Sequence, residues 1–312
     1  MVRTPVIASL VLGALVASPA AAKDKATLVL QPSSQWQLDM GEHRCRLART
    51  FGTGASETLF YIEQFNPSDH FSWAVAGPPL DDLDIASKYQ RSVTDRTLDV
   101  QFGPAVPSWE MNYRDASLGK FGNAVMEFGP EGPTEKKHIG DGDDDEAAAE
   151  VLPTARQLNV ETGKAIEWLS LYSKRIGNIR LALGNMEAPY KAMNFCMDDL
   201  VKSWGLDPAE QKGLQKSVDW LNAKDVVQAL VFPQKALWKG SRAQFSYRII
   251  VDDTGQPESC TMTGITTEDG FDGNSAVCSL IMRRAKFAPA VGRDGNPVRS
   301  YYASKMIYDF AD

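Results

Sequence analysis

The feature that most constrains this fold is an even set of four cysteines behind an export signal. Arg3 places a positive charge near the start, residues 7–16 form an apolar stretch, and residues 20–22 are all alanine. Small residues at this place are what signal peptidase requires, and the apolar stretch is too short to span a membrane. The sequence therefore predicts a cleaved signal peptide over residues 1–22, with an uncleaved anchor as the alternative. Export to an oxidising compartment, the periplasm, makes two disulfides the default expectation.

Four cysteines allow three pairings, and the local pattern favours one of them. Residues 244–251 alternate in polarity, residues 252–255 form a turn, and residues 258–265 return as a second strand. A helix follows in which Cys278 lies on the apolar stripe. If this helix packs on the hairpin, Cys278 lies over Cys260, so we expect a Cys260–Cys278 disulfide.

The second predicted disulfide joins the remaining two cysteines. Cys196 lies on the apolar stripe of a helix that begins near Pro189 and ends before Gly205, and Cys45 lies in a strand-like run over residues 43–51. A Cys45–Cys196 bridge would tie the first part of the chain to this helix. The alternative is four free, buried thiols. The chain has no CxxC motif, so thiol–disulfide catalysis is not indicated.

The pattern of strands and turns predicts an α+β protein. Short strands separated by Gly and Pro are expected at 36–39, 43–51, 58–64, 71–76, 98–102, 123–128, 165–172 and 178–183. We expect a mainly antiparallel β domain over residues 23–205, closed by a helix, and a helical connection over residues 206–225. A C-terminal domain over residues 226–312 would contain the β-hairpin, a helix and a long last strand.

The charge balance excludes some classes of partner. The chain has 33 Lys+Arg and 40 Asp+Glu, for a net charge of −7, so we expect no nucleic acid partner. No second long apolar run occurs, so we expect no integral membrane segment after signal cleavage. The acidic loop at residues 140–146 fails as an EF-hand, because Glu146 and Leu152 occupy its sixth and twelfth positions. Weak cation binding by this loop stays open.

No motif for catalysis, a metal or a cofactor is present in the sequence. His43, His70 and His138 lie on separate predicted elements without zinc-ligand spacing. A GxSxG elbow and glycine-rich phosphate loops are also missing from the sequence. We therefore assign no catalytic residue and expect no metal or cofactor.

The C-terminal residues 226–312 carry an ordered set of short motifs. These are Phe232-Pro233 followed by Ala236 and Gly240, the hairpin turn at 252–255, Phe271-Asp272, and a turn at Phe287-Ala288-Pro289-Ala290. In this order they resemble a TonB C-terminal domain, the module with which an inner-membrane energy transducer grips outer-membrane receptors. The whole mature chain is also similar to uncharacterised secreted bacterial proteins that join such a domain to a Cys-containing N-terminal region.

The departures from the TonB pattern limit what the resemblance implies. A transducer has a membrane anchor and a long Pro/Glu/Lys-rich segment, whereas this chain has a predicted cleavable signal and about 200 residues of folded domain. The pair Cys260 and Cys278 is also foreign to the family pattern. The resemblance therefore implies a fold and a mode of protein binding, and not energy transduction.

The last strand, residues 300–310, is the candidate binding element. It has apolar residues on both faces, and at a sheet edge its backbone could accept a strand from a partner. The alternative is that its aromatic residues are core and that the basic residues near 284 complement a helix C-terminus. The candidate partner-binding residues are Tyr301, Tyr302, Ala303, Met306, Tyr308, Arg283 and Arg284.

These patterns favour a non-catalytic periplasmic module that binds an envelope or outer-membrane protein by strand addition. Two alternatives stay open. One is a periplasmic hydrolase with His43 or His70 in a deep pocket beside an acid and a nucleophile. The other is a self-associating structural protein of the envelope.

Overall fold

A computed structural model describes residues 26–83, 97–127, 156–230, 233–239, 243–267 and 275–308. The predicted signal peptide, the acidic loop at 140–146, and the residues Phe232, Gly240, Phe271 and Asp272 of the TonB-like pattern lie outside these ranges. The fold is mixed α+β with mainly antiparallel sheets and few helices, as predicted.

Ten strands of the N-terminal part form one sheet, in the order β1-β10-β9-β6-β7-β8-β5-β4-β3-β2. All neighbours are antiparallel except β1 and β10. The strands are β1 (Leu28–Leu30), β2 (Gln37–Met40), β3 (Cys45–Phe51), β4 (Thr58–Gln64), β5 (Ser72–Ala76), β6 (Thr97–Pro104), β7 (Trp109–Ser117), β8 (Asn123–Glu127), β9 (Ile166–Ser173) and β10 (Gly177–Leu181).

The sheet folds back on itself around a shared aromatic core. The first half of β7 pairs with β6 and its second half pairs with β8, so this strand carries the chain from one part of the sheet to the other. Pro32, just after β1, forms a bridge with Phe51 at the end of β3. Phe102 packs against Phe60, Trp73 and Trp109 with ring centroids about 6 Å apart. Side chains from distant strands therefore meet in one interior.

Helix α1 (Val160–Ala165) precedes β9, and helix α2 (Glu187–Ser203) packs against the sheet. The buried stripe of α2 recurs at spacings of three and four residues, as expected for a helix with one apolar face. Cys196 lies on this stripe and forms a disulfide with Cys45 on β3. The helix ends before Gly205, whose φ of 73° suits glycine. The predicted closing helix and its disulfide are both present.

Three short helices, a second sheet and two short strand pairs follow α2. Helices α3 (Pro208–Gln211), α4 (Ala223–Gln228) and α5 (Gln234–Lys239) lie in the connection and the start of the C-terminal part. A three-stranded sheet then has the order β13-β12-β17, from β12 (Ala243–Val251), β13 (Pro257–Thr267) and β17 (Ser300–Tyr308). Short strand pairs are β11 (Asp219–Trp220) with β14 (Phe287–Ala288), and β15 (Ala290–Val291) with β16 (Pro297–Val298).

Helix α6 (Ser275–Arg284) covers one face of the three-stranded sheet and packs against β13. The Cys260–Cys278 disulfide joins the helix to that strand, with the pairing predicted from the sequence. At the tip of the hairpin Gly255 has a φ of 84°, and a Cβ there would collide with the carbonyl oxygen of Phe287. The hairpin tip is therefore held close to β14.

We expect the two disulfides to contribute unequally to stability. The Cys45–Cys196 bridge spans a sequence separation of 151 residues and the Cys260–Cys278 bridge one of 18. The longer loop loses more entropy in the unfolded chain, so its removal should lower the free energy of unfolding by about 4–5 kcal/mol, against about 3 kcal/mol for the shorter one. Urea unfolding of Cys45→Ala/Cys196→Ala and Cys260→Ala/Cys278→Ala would measure both, and an equal or reversed order would contradict the expectation.

Candidate functional site

The last strand of the fold, β17, lies at an edge of the three-stranded sheet. It pairs along its whole length with β12, from Val251 opposite Ser300 to Ala243 opposite Tyr308. Among the described residues no strand pairs with its other side. The strand is nine residues long, which is longer than a typical strand, so it presents an extended backbone edge.

The hairpin shows which backbone groups of β17 point toward that edge. Asp252 N–H donates to Gln256 O at 3.0 Å across the turn, on the side of β13. N–H groups alternate between the two sides of a strand, and Ile249 lies three residues before Asp252. The backbone groups of Ile249 are therefore directed to the opposite side, to β17, where Tyr302 is its register partner. The backbone N–H and C=O groups of Tyr302 are therefore directed inward, to β12. The next residue, Ala303, directs its N–H to the outer edge.

One face of β17 packs against the N-terminal part of the protein. Tyr301 is only 2% exposed, and its ring meets Trp204, the residue after α2, edge-on with centroids 5.1 Å apart. The guanidinium of Arg248 on β12 lies 4.0 Å from the centroid of the same Trp204 ring. This is the geometry of a cation–π contact. Trp204 thus packs against two strands of the C-terminal sheet, β12 and β17, at the end of α2.

Burial shifts the ionisation of the two groups that meet Trp204. It lowers the pKa of the Arg248 guanidinium to about 10, with a smaller opposing effect from Tyr301. Burial also raises the pKa of the Tyr301 phenol, and the charge of Arg248 opposes this rise. Arg248 is 7% exposed and Tyr301 is 2% exposed, so water has little access to this side of the sheet.

The other face of β17 packs against the small sheet of β11 and β14. The Tyr302 ring lies 5.6 Å from that of Trp220 and 5.8 Å from that of Phe287. Consecutive residues of a strand point to opposite faces, so Tyr301 and Tyr302 enter different cores. With both faces packed, the outer backbone edge is the side of β17 that no described strand covers.

The beginning of β17 is held by polar contacts with α3 and with the end of α2. Ser300 Oγ donates to Gln211 Oε1 at 2.6 Å, and Gln211 Nε2 donates to Arg299 O at 3.2 Å. The Arg299 guanidinium donates to Gly205 O at 3.0 Å and to Glu258 Oε2 at 2.7 Å. Exposure increases along the strand from Ser300, which is buried, to Lys305, which is exposed.

The structure divides the predicted partner-binding residues into two groups. Tyr301, Tyr302 and Ala303 lie on β17, where Tyr301 is core and the other two are half-buried. Met306 and Tyr308 also belong to this strand by their backbone pairing, and their side chains lie outside the description. Arg283 and Arg284 are exposed at the end of α6, which packs against β13.

The histidines that were candidates for hydrolysis do not meet a nucleophile in the part of the chain described. His43 Nε2 lies 3.9 Å from Glu42 Oε1, and His70 Nε2 lies 3.3 Å from Asp69 Oδ1. Asp69 also pairs with Arg156 at 3.0 Å. No serine, threonine or cysteine side chain within the described ranges bonds to either ring.

A small cleft of about 190 Å³ lies beside the Cys45–Cys196 disulfide and contains neither histidine. Its lining includes Met40, Glu42, Asp199 and Ser203. Across the described residues no group of three or more His, Cys, Asp or Glu side chains is arranged to hold a metal ion. Among the features of the described residues, the outer edge of β17 is the candidate site that we develop.

Sequence reasoning missed the residues that support the strand from the N-terminal side. Trp204 is the last apolar residue of the α2 stripe, which indicated burial but not against what. Arg248 stands on the polar face of a predicted hairpin strand, where a charged residue is expected in water. The sequence pattern therefore predicts an exposed Arg248, whereas this residue is buried in the fold.

No protein-family model, curated protein or solved structure matches this chain. The two disulfides fit a protein of an extracytoplasmic compartment. In the described ranges, no helix is both long and apolar enough to cross a membrane.

We expect the Trp204 contact to stabilise the position of β17. Replacing Trp204, which is 9% exposed, by Ala should lower the free energy of unfolding by about 3–5 kcal/mol. The same change at Trp238, which is 83% exposed, should alter it by less than about 0.5 kcal/mol. Urea unfolding of the Trp204→Ala and Trp238→Ala variants measures both, and equal losses would show that Trp204 does not have this role.

Proposed function

We propose that this protein is a non-catalytic periplasmic binding module that takes up an extended segment of an envelope or outer-membrane protein along the outer edge of β17. The observation that carries the proposal is the position of β17 as an edge strand with no second strand neighbour among the described residues. A peptide that adds to such an edge gains main-chain hydrogen bonds, and alternate side chains set specificity.

The resemblance to a TonB C-terminal domain supports the same proposal. The hairpin, the covering helix and the long last strand follow one another in the order that the resemblance implies. The binding strand would be rigid before the partner arrives, because Trp204 packs on one face and Trp220 on the other. A preorganised strand lowers the entropy cost of binding. The predicted signal peptide and the disulfides support a periplasmic location.

Two substitutions at one position test this mode of binding. Ala303→Pro removes an N–H that points to the outer edge and keeps the ladder to β12, since proline is tolerated at this kind of edge position. Ala303→Val adds similar bulk and keeps the N–H. If the partner adds as a strand, its affinity should fall about tenfold or more in Ala303→Pro and much less in Ala303→Val.

The partner itself is found by placing a photo-cross-linker at Lys305 in living cells. The captured segment is then synthesised as a peptide and titrated against the two Ala303 variants. In the complex, the Ala303 amide should exchange its hydrogen more slowly than in the free protein. Equal affinities of the two variants, or unchanged exchange at Ala303, would rule out strand addition.

A second copy of the chain is the competing occupant of the same edge. Pairing of two β17 strands would make the mass in solution depend on concentration, and Ala303→Pro would reduce the dimer. Light scattering measures this mass and so distinguishes a second copy of the chain from a different protein as the occupant of the edge. A strict monomer would show that the occupant is not a second copy.

A further inference from the structure

The cleft beside the Cys45–Cys196 disulfide lies between two walls that the disulfide joins. One wall is the turn between β2 and β3, which is closed by a hydrogen bond from Gly41 N–H to Arg44 O at 2.9 Å. The other wall is the second half of α2, and both cysteines line the cleft. Because the bridge holds strand and helix together, the cleft is formed before a ligand arrives, which lowers the entropy cost of binding.

The volume of the cleft limits the size of its ligand. Pockets for drug-sized molecules usually have about 300–1,000 Å³. This cleft has a volume of about 190 Å³, so it is suited to one amino-acid side chain or to a molecule of that size.

Part of the lining of the cleft is apolar. Met40 on β2 and Leu200 on α2 line it together with the two disulfide-bonded cysteines. Leu200 is 6% exposed and each cysteine 1%, so these side chains are fixed in the core. Met40 is 48% exposed, and its flexible thioether can adjust to the shape of a ligand. Together they offer carbon and sulfur surface to an aliphatic chain.

The polar side chains that line the cleft offer hydrogen-bond acceptors. Glu42 in the turn and Asp199 on α2 contribute carboxylates, which only accept hydrogen bonds when they are ionised. Ser203 is the third polar side chain of the lining. Its hydroxyl already donates to Leu200 O at 2.6 Å, so its lone pairs are what remains for a ligand. A ligand that fits this lining therefore supplies the donors itself.

No close cation neutralises these two carboxylates in the described part of the chain. Glu42 has one contact, to His43 Nε2 at 3.9 Å, which is longer than the roughly 2.7–2.9 Å of a charge-assisted hydrogen bond. Asp199 forms no ion pair with a described residue, whereas its neighbour Asp198 pairs with Lys212 at 2.6 Å. The cleft therefore combines two negative charges with an apolar interior.

We propose that this cleft binds an aliphatic amine in its charged form. The ammonium group donates to the carboxylates of Glu42 and Asp199, and the carbon stem lies against Met40 and Leu200. A lysine side chain of another protein and a free alkyl amine share this chemistry. An anion would meet acceptors of its own charge. A calcium ion fits less well, because the sulfur and leucine surface of the cleft supplies no oxygen ligands.

This inference does not depend on strand addition at β17. Every residue that lines the cleft belongs to β2, to the start of β3, to the turn between them, or to α2. Amine binding and strand binding can therefore be lost separately, so each has its own test.

Titration of the purified protein with a series of small ligands tests the proposal. Affinity should rise about threefold with each CH₂ group from ethylammonium to butylammonium, because each added group is buried against the apolar lining. 1-Butanol has the same stem without the charge, and butyrate carries the opposite charge. Both should bind at least about tenfold more weakly than butylammonium.

Methionine methyl groups labelled with ¹³C show where the amine binds. Butylammonium should shift the NMR signal of Met40, which the variant Met40→Gln assigns by its disappearance. Met282 on α6 is a matched control, since it is 37% exposed and does not line the cleft. Its signal should stay in place throughout the titration.

Neutral variants test the role of each carboxylate. Glu42→Gln and Asp199→Asn should each weaken butylammonium binding about fivefold, because each removes one ion pair with the ligand. Glu210→Gln, at an exposed carboxylate outside the cleft, should change the affinity by less than about twofold. All three positions are exposed, so the thermal midpoint of each variant should match that of the parent protein.

A peptide separates the two sources of the amine. If a tripeptide with a central lysine and blocked ends shifts the Met40 signal, and its acetyl-lysine form does not, the cleft accepts a lysine side chain of a protein. If butylammonium binds and the tripeptide is excluded, the ligand is a free amine. Equal affinities for butylammonium and 1-butanol, an unmoved Met40 signal, or equal losses in Glu42→Gln and Glu210→Gln would overturn the proposal.

Discussion

Burial of β12 on both faces is the constraint on which the arrangement of this protein depends. Phe245, Tyr247, Ile249 and Val251 enter the core beneath α6, while Ile250 enters the core of the N-terminal part. Arg248 stands on the same face as Ile250 and is buried against Trp204. A strand buried on both faces requires a cover on each side. The N-terminal part and α6 are those covers, so the two parts of the chain hold each other in place.

Several properties of the candidate site follow from this arrangement. With β12 in the centre, β13 and β17 become the two edges of the sheet. The Cys260–Cys278 disulfide fixes α6 against β13. The aromatic pairs of Tyr301 and Tyr302 then support β17 from both faces.

Much of the local structure could be predicted from periodicity, and the exceptions have identifiable causes. The hairpin of β12 and β13 was predicted because Phe245, Tyr247, Ile249 and Val251 recur at every second position and an Asp-Thr-Gly turn separates the strands. Strand β7 was not predicted. Its apolar residues Trp109, Met111 and Tyr113 do alternate, but charged and polar residues lie between and after them. Strand β7 lies between β6 and β8, and pairing with these two neighbours stabilises a segment that its own sequence does not identify as a strand.

The sequence by itself determined which cysteines pair, because each pair joins the apolar face of a helix to a strand that is recognisable from local spacing alone. It also indicated that the last strand has two apolar faces. Only the tertiary structure decided that Tyr301 is core, that Arg248 is buried, and that Trp238 stands in water. These outcomes depend on which surface meets each side chain. Trp204, the residue after α2, lies 97 residues before Tyr301 in the chain, a distance over which no local pattern carries information.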